Sequence, residues 1–258
     1  MSQELLISVV IPTYRRIDQT LVAVRSVLDQ SCAAFEIIVV QDEISTGLRS
    51  ALEKENLIAF VKFIEIEHSG LPAKVRNVGI NHSSGNWIGF LDSDDVWFPE
   101  KLERQIGHIK SLNLDCVSAS SPRVASSSDV KSIKVTLKRL LKSNFVVNSS
   151  VLVRKEVLLN IGGIPEEKNL VGVEDYAAWL RLSSKVRWMH FEENLLKYDD
   201  NGLDRLSNEL QKSYFNSYYA ILSYANWFVP QGKRLLFTRI CLRFIKLALL
   251  ADRRLENY

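Results

Sequence analysis

The densest chemistry in the chain lies at Phe90-Leu91-Asp92-Ser93-Asp94-Asp95, where an apolar run ends in three carboxylates within four residues. Carboxylates this close repel one another unless a cation stands between them. Hard oxygen donors select Mg2+ or Mn2+, which keep coordination sites open for the phosphate oxygens of a substrate. A calcium loop does not fit, because Val96 takes the fifth position and no glycine follows at the sixth. The plain structural alternative is a solvated turn with Asp95 capping a helix before Pro99. Three other groups favour the chemical reading. Arg76 and Asn77 stand at the start of an apolar helical pattern, and an arginine there can grip a diphosphate bidentately. Pro12-Thr13-Tyr14 offers a rigid turn, a hydroxyl and a ring on which a base can stack. Asp42 can accept a hydrogen bond from a base N–H. Each is commonplace alone, as a cap, a rim aromatic or a turn former. Together, at the ends of successive strands, they fit a nucleoside diphosphate.

The elements that must position these groups can be read from periodicity. Leu5–Ile11 is apolar but for Ser8 and shows no alternation, the pattern of a strand buried on both faces, and Phe35–Val40, apolar but for Glu36, reads as a second buried strand. Between them, residues 18–30 put Leu21, Val24, Val27 and Leu28 on one helical face, with Asp18 as the expected N-cap. Strand, helix and strand in this space make a βαβ unit with parallel strands. A helix over 46–55, a strand over 58–65, a helix over 72–83 and a strand at Trp87–Leu91 continue the pattern. Pro99 then opens a helix carrying Leu102, Ile106 and Ile109. The first 110 residues thus read as a parallel α/β sheet covered by helices. Further on, the basic segment 131–143 is expected to be helical, followed by an apolar stretch at Phe145–Val153. Loop punctuation follows at Ile161–Pro165, and helices are expected over 174–184, 208–228 and 233–251.

Four ordered blocks of this sequence resemble the inverting family 2 glycosyltransferases. They are Ile7–Tyr14, Glu36–Asp42, Ala73–Asn77 and Gly85–Asp95. The resemblance is dense over residues 5–110 and looser over 145–207. It implies an α/β GT-A fold, a mostly parallel central sheet flanked by helices, with a helical C-terminal extension. Residues 1–207 would then form the transferase domain, 1–110 binding the nucleotide sugar and 111–207 the acceptor, and 208–258 the extension. It further implies that Pro12, Thr13, Tyr14 and Asp42 hold the uridine end and that Arg76 fixes the nucleotide. Asp92 and Ser93 would lie near the ribose and diphosphate, with Asp94 as the ligand of Mn2+ or Mg2+. Two departures stand out: Gln41 occupies the first place of a usual Asp-Asp pair, and Glu43-Ile44 replaces the usual Gly-Ser.

Inverting transfer needs a general base for the acceptor hydroxyl and charge stabilisation for the departing diphosphate. Val173-Glu174-Asp175-Tyr176, ahead of Trp179 and Arg181, is the best candidate for the base, and the resemblance agrees. Asp175 is assigned the base and Glu174 an acceptor-positioning role, with the reverse assignment left open. The bland alternative is that both acids simply favour a helix N-terminus. Leu195-Leu196-Lys197-Tyr198 and Arg205-Leu206-Ser207 resemble a loop that closes over the donor. Asp199-Asp200 stands where relatives often carry Arg or His, which leaves Arg205 as a weak substitute.

Composition bounds the setting. The 258 residues are 47% hydrophobic and 24% charged, ordinary globular chemistry. The net charge of +3 hides a segregation. Residues 130–155 hold seven basic side chains and no acidic one, and residues 231–258 hold seven more against Asp252 and Glu256. The remainder carries 19 basic and 28 acidic residues, a net of −9. Cys32, Cys116 and Cys241 form neither a disulfide frame nor a zinc motif, which fits a reducing compartment. Glu4 stands where a signal peptide wants basic residues, and no apolar run reaches 18 residues, so a cytoplasmic protein is expected. Segment 231–258 reads as a basic amphipathic helix that either lies on an anionic membrane surface or packs on the domain. Nucleic acid is not expected, since the basic residues lack interleaved aromatics. The expected partners are a UDP-sugar donor and a saccharide or lipid-linked acceptor, in bacterial surface polysaccharide assembly. Two rivals remain at this stage: a haloacid-dehalogenase-like phosphatase with Asp92 as nucleophile, and a non-catalytic nucleotide-sugar-binding module.

Overall fold

The structure, a computed structural model, describes residues 4–120, 130–198 and 210–228. Asp199, Asp200, Arg205 and the basic segment 231–258 lie outside the described residues. In chain order the elements are β1 (Ile7–Thr13), α1 (Ile17–Leu28), β2 (Glu36–Gln41), α2 (Thr46–Lys54), β3 (Val61–Glu65) and α3 (Pro72–His82). They continue with β4 (Trp87–Phe90), β5 (Val96–Trp97), α4 (Lys101–Leu112), β6 (Cys116–Ser120), β7 (Ser132–Lys134) and α5 (Leu137–Leu140). The last are β8 (Leu152–Arg154), α6 (Lys155–Asn160), α7 (Glu174–Ser183), β9 (Trp188–Asn194), β10 (Leu196–Lys197) and α8 (Leu210–Phe228).

Among the described residues, eight strands form one sheet in the order β3-β2-β1-β4-β8-β6-β9-β7. The first four are parallel, as expected, with Thr13 opposite Gln41 and Val10 opposite Phe90. β8 runs antiparallel to both its neighbours, β6 and β9 are parallel, and β7 closes the edge antiparallel to β9. Because β2 and β4 leave β1 on opposite sides, the chain reverses direction across the sheet there. That places the carboxyl ends of β1, β2 and β4 around one crevice, the position at which open α/β sheets take ligands.

The two faces of the sheet bury separate cores. Ile7, Val9 and Ile11 pack with Val24, Leu52 and Leu102 on one side, while Val10, Ile88 and Phe90 meet Trp179 and Trp188 on the other. Both faces of β1 are therefore covered, which explains its continuous apolar sequence. α7 is buried along most of its length, so its first turn is held rigidly against the sheet.

Several local expectations are corrected. Asp18 does not cap α1; Arg16 occupies the cap position without a side-chain bond, and the Thr20 hydroxyl donates to the Arg16 carbonyl. Residues 58–60 form a 3-10 turn before the strand starts at Val61. Segment 131–143 is not one helix. Ser132–Lys134 pairs as an edge strand with β9, and Thr136 then caps a single helical turn through its hydroxyl. Backbone pairing at an open sheet edge outweighs helix propensity here. The helix after Pro99 begins at Lys101, whose fully buried Nζ lies 3.8 Å from the Trp97 ring centre and donates to Gln105 Oε1. Burial pushes that ammonium well below the ordinary lysine range.

Close backbone approach fixes one glycine. A Cβ on Gly85 would lie 2.4 Å from the Leu6 carbonyl oxygen and 2.6 Å from Ser8 Oγ. Gly85→Ala is expected to lower stability by about 1–3 kcal/mol in urea unfolding. Gly107→Ala, on the exposed face of α4 with nothing within 4 Å of its Cβ, is expected to raise it by up to about 1 kcal/mol.

Candidate functional site

At the end of β1 the Thr13 hydroxyl is buried and shares a 2.7 Å hydrogen bond with the Thr20 hydroxyl. Pro12 immediately precedes it, inside the strand. Tyr14 stands at the rim, 37% exposed, and stacks on His68 with centroids 4.3 Å apart. Asp42 follows β2 and is buried; its carboxylate accepts from the Ser69 N–H at 2.7 Å and the Gly70 N–H at 3.1 Å. The His68 Nδ1 reaches the Asp42 carbonyl at 2.9 Å. Asp42 thus fixes the 68–70 loop, where Gly70 takes φ +65°, and the loop sets the stacking partner under Tyr14. Gln41, at the place of the usual acidic residue, donates through Nε2 to the carbonyls of Glu43 and Ser45. A carboxylate has no hydrogen to give them, so the amide shapes the altered Glu43-Ile44 loop.

The acidic cluster after β4 divides its work. The Asp92 Oδ1 accepts from Arg76 Nη2 at 2.7 Å and from Asn148 Nδ2 at 2.9 Å. Ser93 is buried beside it. Asp94 is partly exposed and its Oδ2 pairs with Arg16 Nη1 at 2.6 Å. Asp95 is buried and accepts from the Ser149 hydroxyl at 2.5 Å, while Ser149 Oγ takes the Asp92 N–H at 2.9 Å. Asp95 is therefore an anchor for the turn and not a helix cap. On donor chemistry Asp94 suits a hard divalent cation. Among the described residues no group of three His, Cys, Asp or Glu could hold one alone. Mg2+-type sites commonly use one or two carboxylates and complete the shell with substrate phosphates and water.

The second acidic pair arrives at the same place. Glu174 and Asp175 open α7, and the Glu174 Oε1 meets Arg76 Nη1 at 2.7 Å. Its Oε2 accepts from the Gly172 N–H at 2.7 Å, in a loop where Gly172 needs φ +88°. Arg76 is thus buried between Asp92 and Glu174, both terminal nitrogens committed to carboxylates. Those two carboxylates are its partners in this arrangement, and each terminal nitrogen carries a second N–H beyond the one given to them. Burial alone would lower the Arg76 pKa, yet the Asp92 and Glu174 charges outweigh it and hold the group more firmly protonated than usual. Asp175 is half-buried, and its Oδ1 accepts from the Tyr176 N–H at 2.6 Å. Desolvation and the neighbouring Glu174 push its carboxyl up to about 7.

Sequence reasoning missed Arg16, His68, Asn148 and Ser149. Arg16 and His68 are polar residues just beyond strands β1 and β3. Asn148 and Ser149 sit in a 3-10 turn within a stretch read only as apolar. Asn77 was singled out with Arg76, and its role is now specific. Its amide donates to the Ile164 carbonyl at 2.7 Å and accepts the Ile164 N–H at 2.9 Å, tying α3 to the loop before α7.

A site at the switch point of this sheet, with carboxylates at two strand ends, matches a known family. The model of glycosyl transferase family 2 fits residues 8–154, more than half the chain, and the chain belongs to that family. A β-1,3-glucosyltransferase of Escherichia coli, WfgD, which uses UDP-Glc and α-D-GlcNAc-diphosphoundecaprenol, is 31% identical over 182 residues, 69% of each chain. The chain spans only 17–18% of the length of three other curated relatives it matches at 36% identity. Among solved structures, Staphylococcus aureus TarS 1-349 with UDP-GlcNAc superposes at a TM-score of 0.69 and 19% identity, over 92% of this chain and 72% of that one. The Pyrobaculum calidifontis mannosyltransferase PcManGT with GDP-Man and Mn2+ gives 0.65 at 14% identity, over 98% and 76%. The fold is GT-A, a mostly parallel sheet flanked by helices.

Arg76→Ala strips the buried Glu174 and the partly buried Asp92 of their counter-charge and is expected to cost about 3–5 kcal/mol in urea unfolding. Arg76→Lys is expected to recover only part of this, because one ammonium lacks the planar fork that spans Asp92 and Glu174.

Proposed function

We propose that this chain is an inverting glycosyltransferase that moves a sugar from a UDP-sugar to a saccharide or lipid-linked acceptor. The setting we propose is bacterial surface polysaccharide assembly on the cytoplasmic side of the membrane; the relative WfgD, whose acceptor is a diphosphoundecaprenol-linked sugar, supports the lipid-linked acceptor. The observation that carries the reading is the Arg76 bridge, which joins two acidic motifs 82 positions apart into one site. A nucleotide-binding module has no need of the second pair. A phosphatase with Asp92 as nucleophile is disfavoured by the match to glycosyl transferase family 2 over residues 8–154.

In this reading Pro12, Thr13, Tyr14 and Asp42 receive the uridine, Tyr14 offering its ring and Asp42 the lone pairs left beside the loop amides. Asp92 and Ser93 border the ribose and diphosphate. A divalent cation, Mn2+ or Mg2+, held by Asp94 would supply charge stabilisation to the departing diphosphate. Arg76 positions Asp92 and Glu174, and Glu174 sets the acceptor side. The acceptor hydroxyl oxygen attacks the anomeric carbon and gives its proton to the Asp175 carboxylate. The bond from that carbon to the phosphate oxygen breaks with its electron pair, and UDP leaves. Residues 1–110 would serve the donor and 111–207 the acceptor, with 208–258 as a further extension. α8 belongs to that extension, and the proposed membrane contact of 231–258 is independent of it. Among the described residues no helix is long and apolar enough to cross a membrane.

UDP release from a UDP-sugar panel with Mn2+ and acceptor tests this reading. Asp175→Asn is expected to lower kcat about 10²–10⁴-fold with the donor KM little changed. Asp94→Ala or EDTA is expected to abolish turnover, with Mn2+ restoring the chelated wild type but not the variant. Because the base must be ionised, kcat/KM is expected to fall as the pH drops below about 7, following the raised carboxyl of Asp175. UDP release that survives both substitutions would sink the mechanism.

A further inference from the structure

Outside the strand-end crevice, the segment from β7 to the loop after α5 borders a concavity of about 560 Å³ that is open to solvent. Its walls are Ile133, Thr136, Lys138, Arg139, Lys142 and Phe145. That volume falls within the usual range for small-molecule sites. The three cations are exposed side chains, and no carboxylate among the described residues forms an ion pair with any of them. Residues 130–155 contain no acidic residue that could neutralise them locally. Cations without an acidic partner among the described residues repel one another around a concavity, an arrangement that an anion relieves. Ile133 and Phe145 add apolar wall, and Phe145 is fixed edge-on against His190 with centroids 5.3 Å apart.

The chain that carries these cations is joined to the candidate site through residues just outside the cavity wall. The Tyr176 hydroxyl, one residue beyond Asp175, donates to the Leu140 carbonyl of α5 at 2.8 Å. At the other end of the segment, Asn148 and Ser149 bond Asp92 and Asp95. We propose that this cavity binds the phosphate or diphosphate group of the acceptor, so that the acceptor saccharide reaches Asp175. The proposal rests on the transferase reading and adds to it the chemical class of the acceptor. Lys138 and Lys142 act as point charges, and Arg139 offers a fork suited to paired phosphate oxygens. A concave site with an aromatic wall suits a discrete anion better than the plane of a bilayer.

The test uses the full chain with UDP at saturation, so that the donor site is filled. The probes are a decyl-diphospho-N-acetylglucosamine, the matching decyl glycoside without phosphate, inorganic pyrophosphate, and vesicles of phosphatidylglycerol. Wild type is compared with the triple variant Lys138→Gln, Arg139→Gln, Lys142→Gln by calorimetric titration. The diphosphosaccharide is expected to bind about tenfold more weakly to the triple variant, as three partly exposed charge pairs would give. Pyrophosphate is expected to compete in the wild type, and the phosphate-free glycoside to be unaffected by the substitutions. Donor KM and UDP release into water should be unchanged, and circular dichroism should confirm that the variant is folded. Equal affinity of both proteins, an equal loss for the phosphate-free glycoside, or charge-dependent binding of vesicles alone overturns the proposal. If no UDP-sugar is turned over at all, the transferase reading fails, while the titration still reports on the cavity.

Discussion

The site depends on one buried guanidinium. Arg76 leaves water because Asp92 and Glu174 pair with its two terminal nitrogens, and its charge offsets the repulsion between them. Each belongs to a different part of the chain: a helix after β3, the turn after β4, and the first turn of α7. A charge network of this kind is poor evidence of stability but strong evidence of position. It sets the distance between Asp92 in the turn after β4 and the half-buried Asp175 next to Glu174. It also adds to the field in which Asp175 titrates: Glu174 raises that carboxyl and Arg76 lowers it, with burial the larger influence.

Around that bridge, loops are held by side chain to backbone bonds. Asp42 fixes 68–70, Gln41 fixes 43–45, Asn77 fixes the loop before α7, and Asn148 with Ser149 fixes the turn carrying Asp92 and Asp95. Polar groups fixed in advance need little reorganisation when charge develops on a substrate, which is where most electrostatic stabilisation of a transition state originates. Asp94 differs from its neighbours in this respect. It pairs with the partly exposed Arg16, and a surface ion pair of that kind exchanges at small cost.

Much of the fold was legible because buried parallel strands write continuous apolar runs, and Ile7–Ile11, Ile37–Val40 and Trp87–Phe90 do so. Helices with one apolar face, such as α1 and α4, were legible for the same reason. Segment 131–143 was not, since Lys134, Lys138, Arg139 and Lys142 fall at helical spacing while the deciding interaction is backbone pairing with β9, which no local pattern encodes. Among site residues, strand ends located Thr13, Asp42 and Asp92 without help. Arg76 was legible as important but its partners were not all so: sequence displays its charge, while Glu174, 98 positions away, is brought to it only by the fold. Asn148 and Ser149 were hidden because small polar residues in an apolar stretch carry no signal until the turn they meet is known.

The account predicts a single direct displacement, with Asp175 taking the proton as the acceptor oxygen attacks opposite the departing UDP. The most direct test is the anomeric configuration of the new linkage, read from the proton coupling of the isolated product by NMR. From an α-linked UDP-sugar the account predicts a β-glycoside. An α-glycoside would mean two displacements or front-side transfer, and would contradict the role given to Asp175.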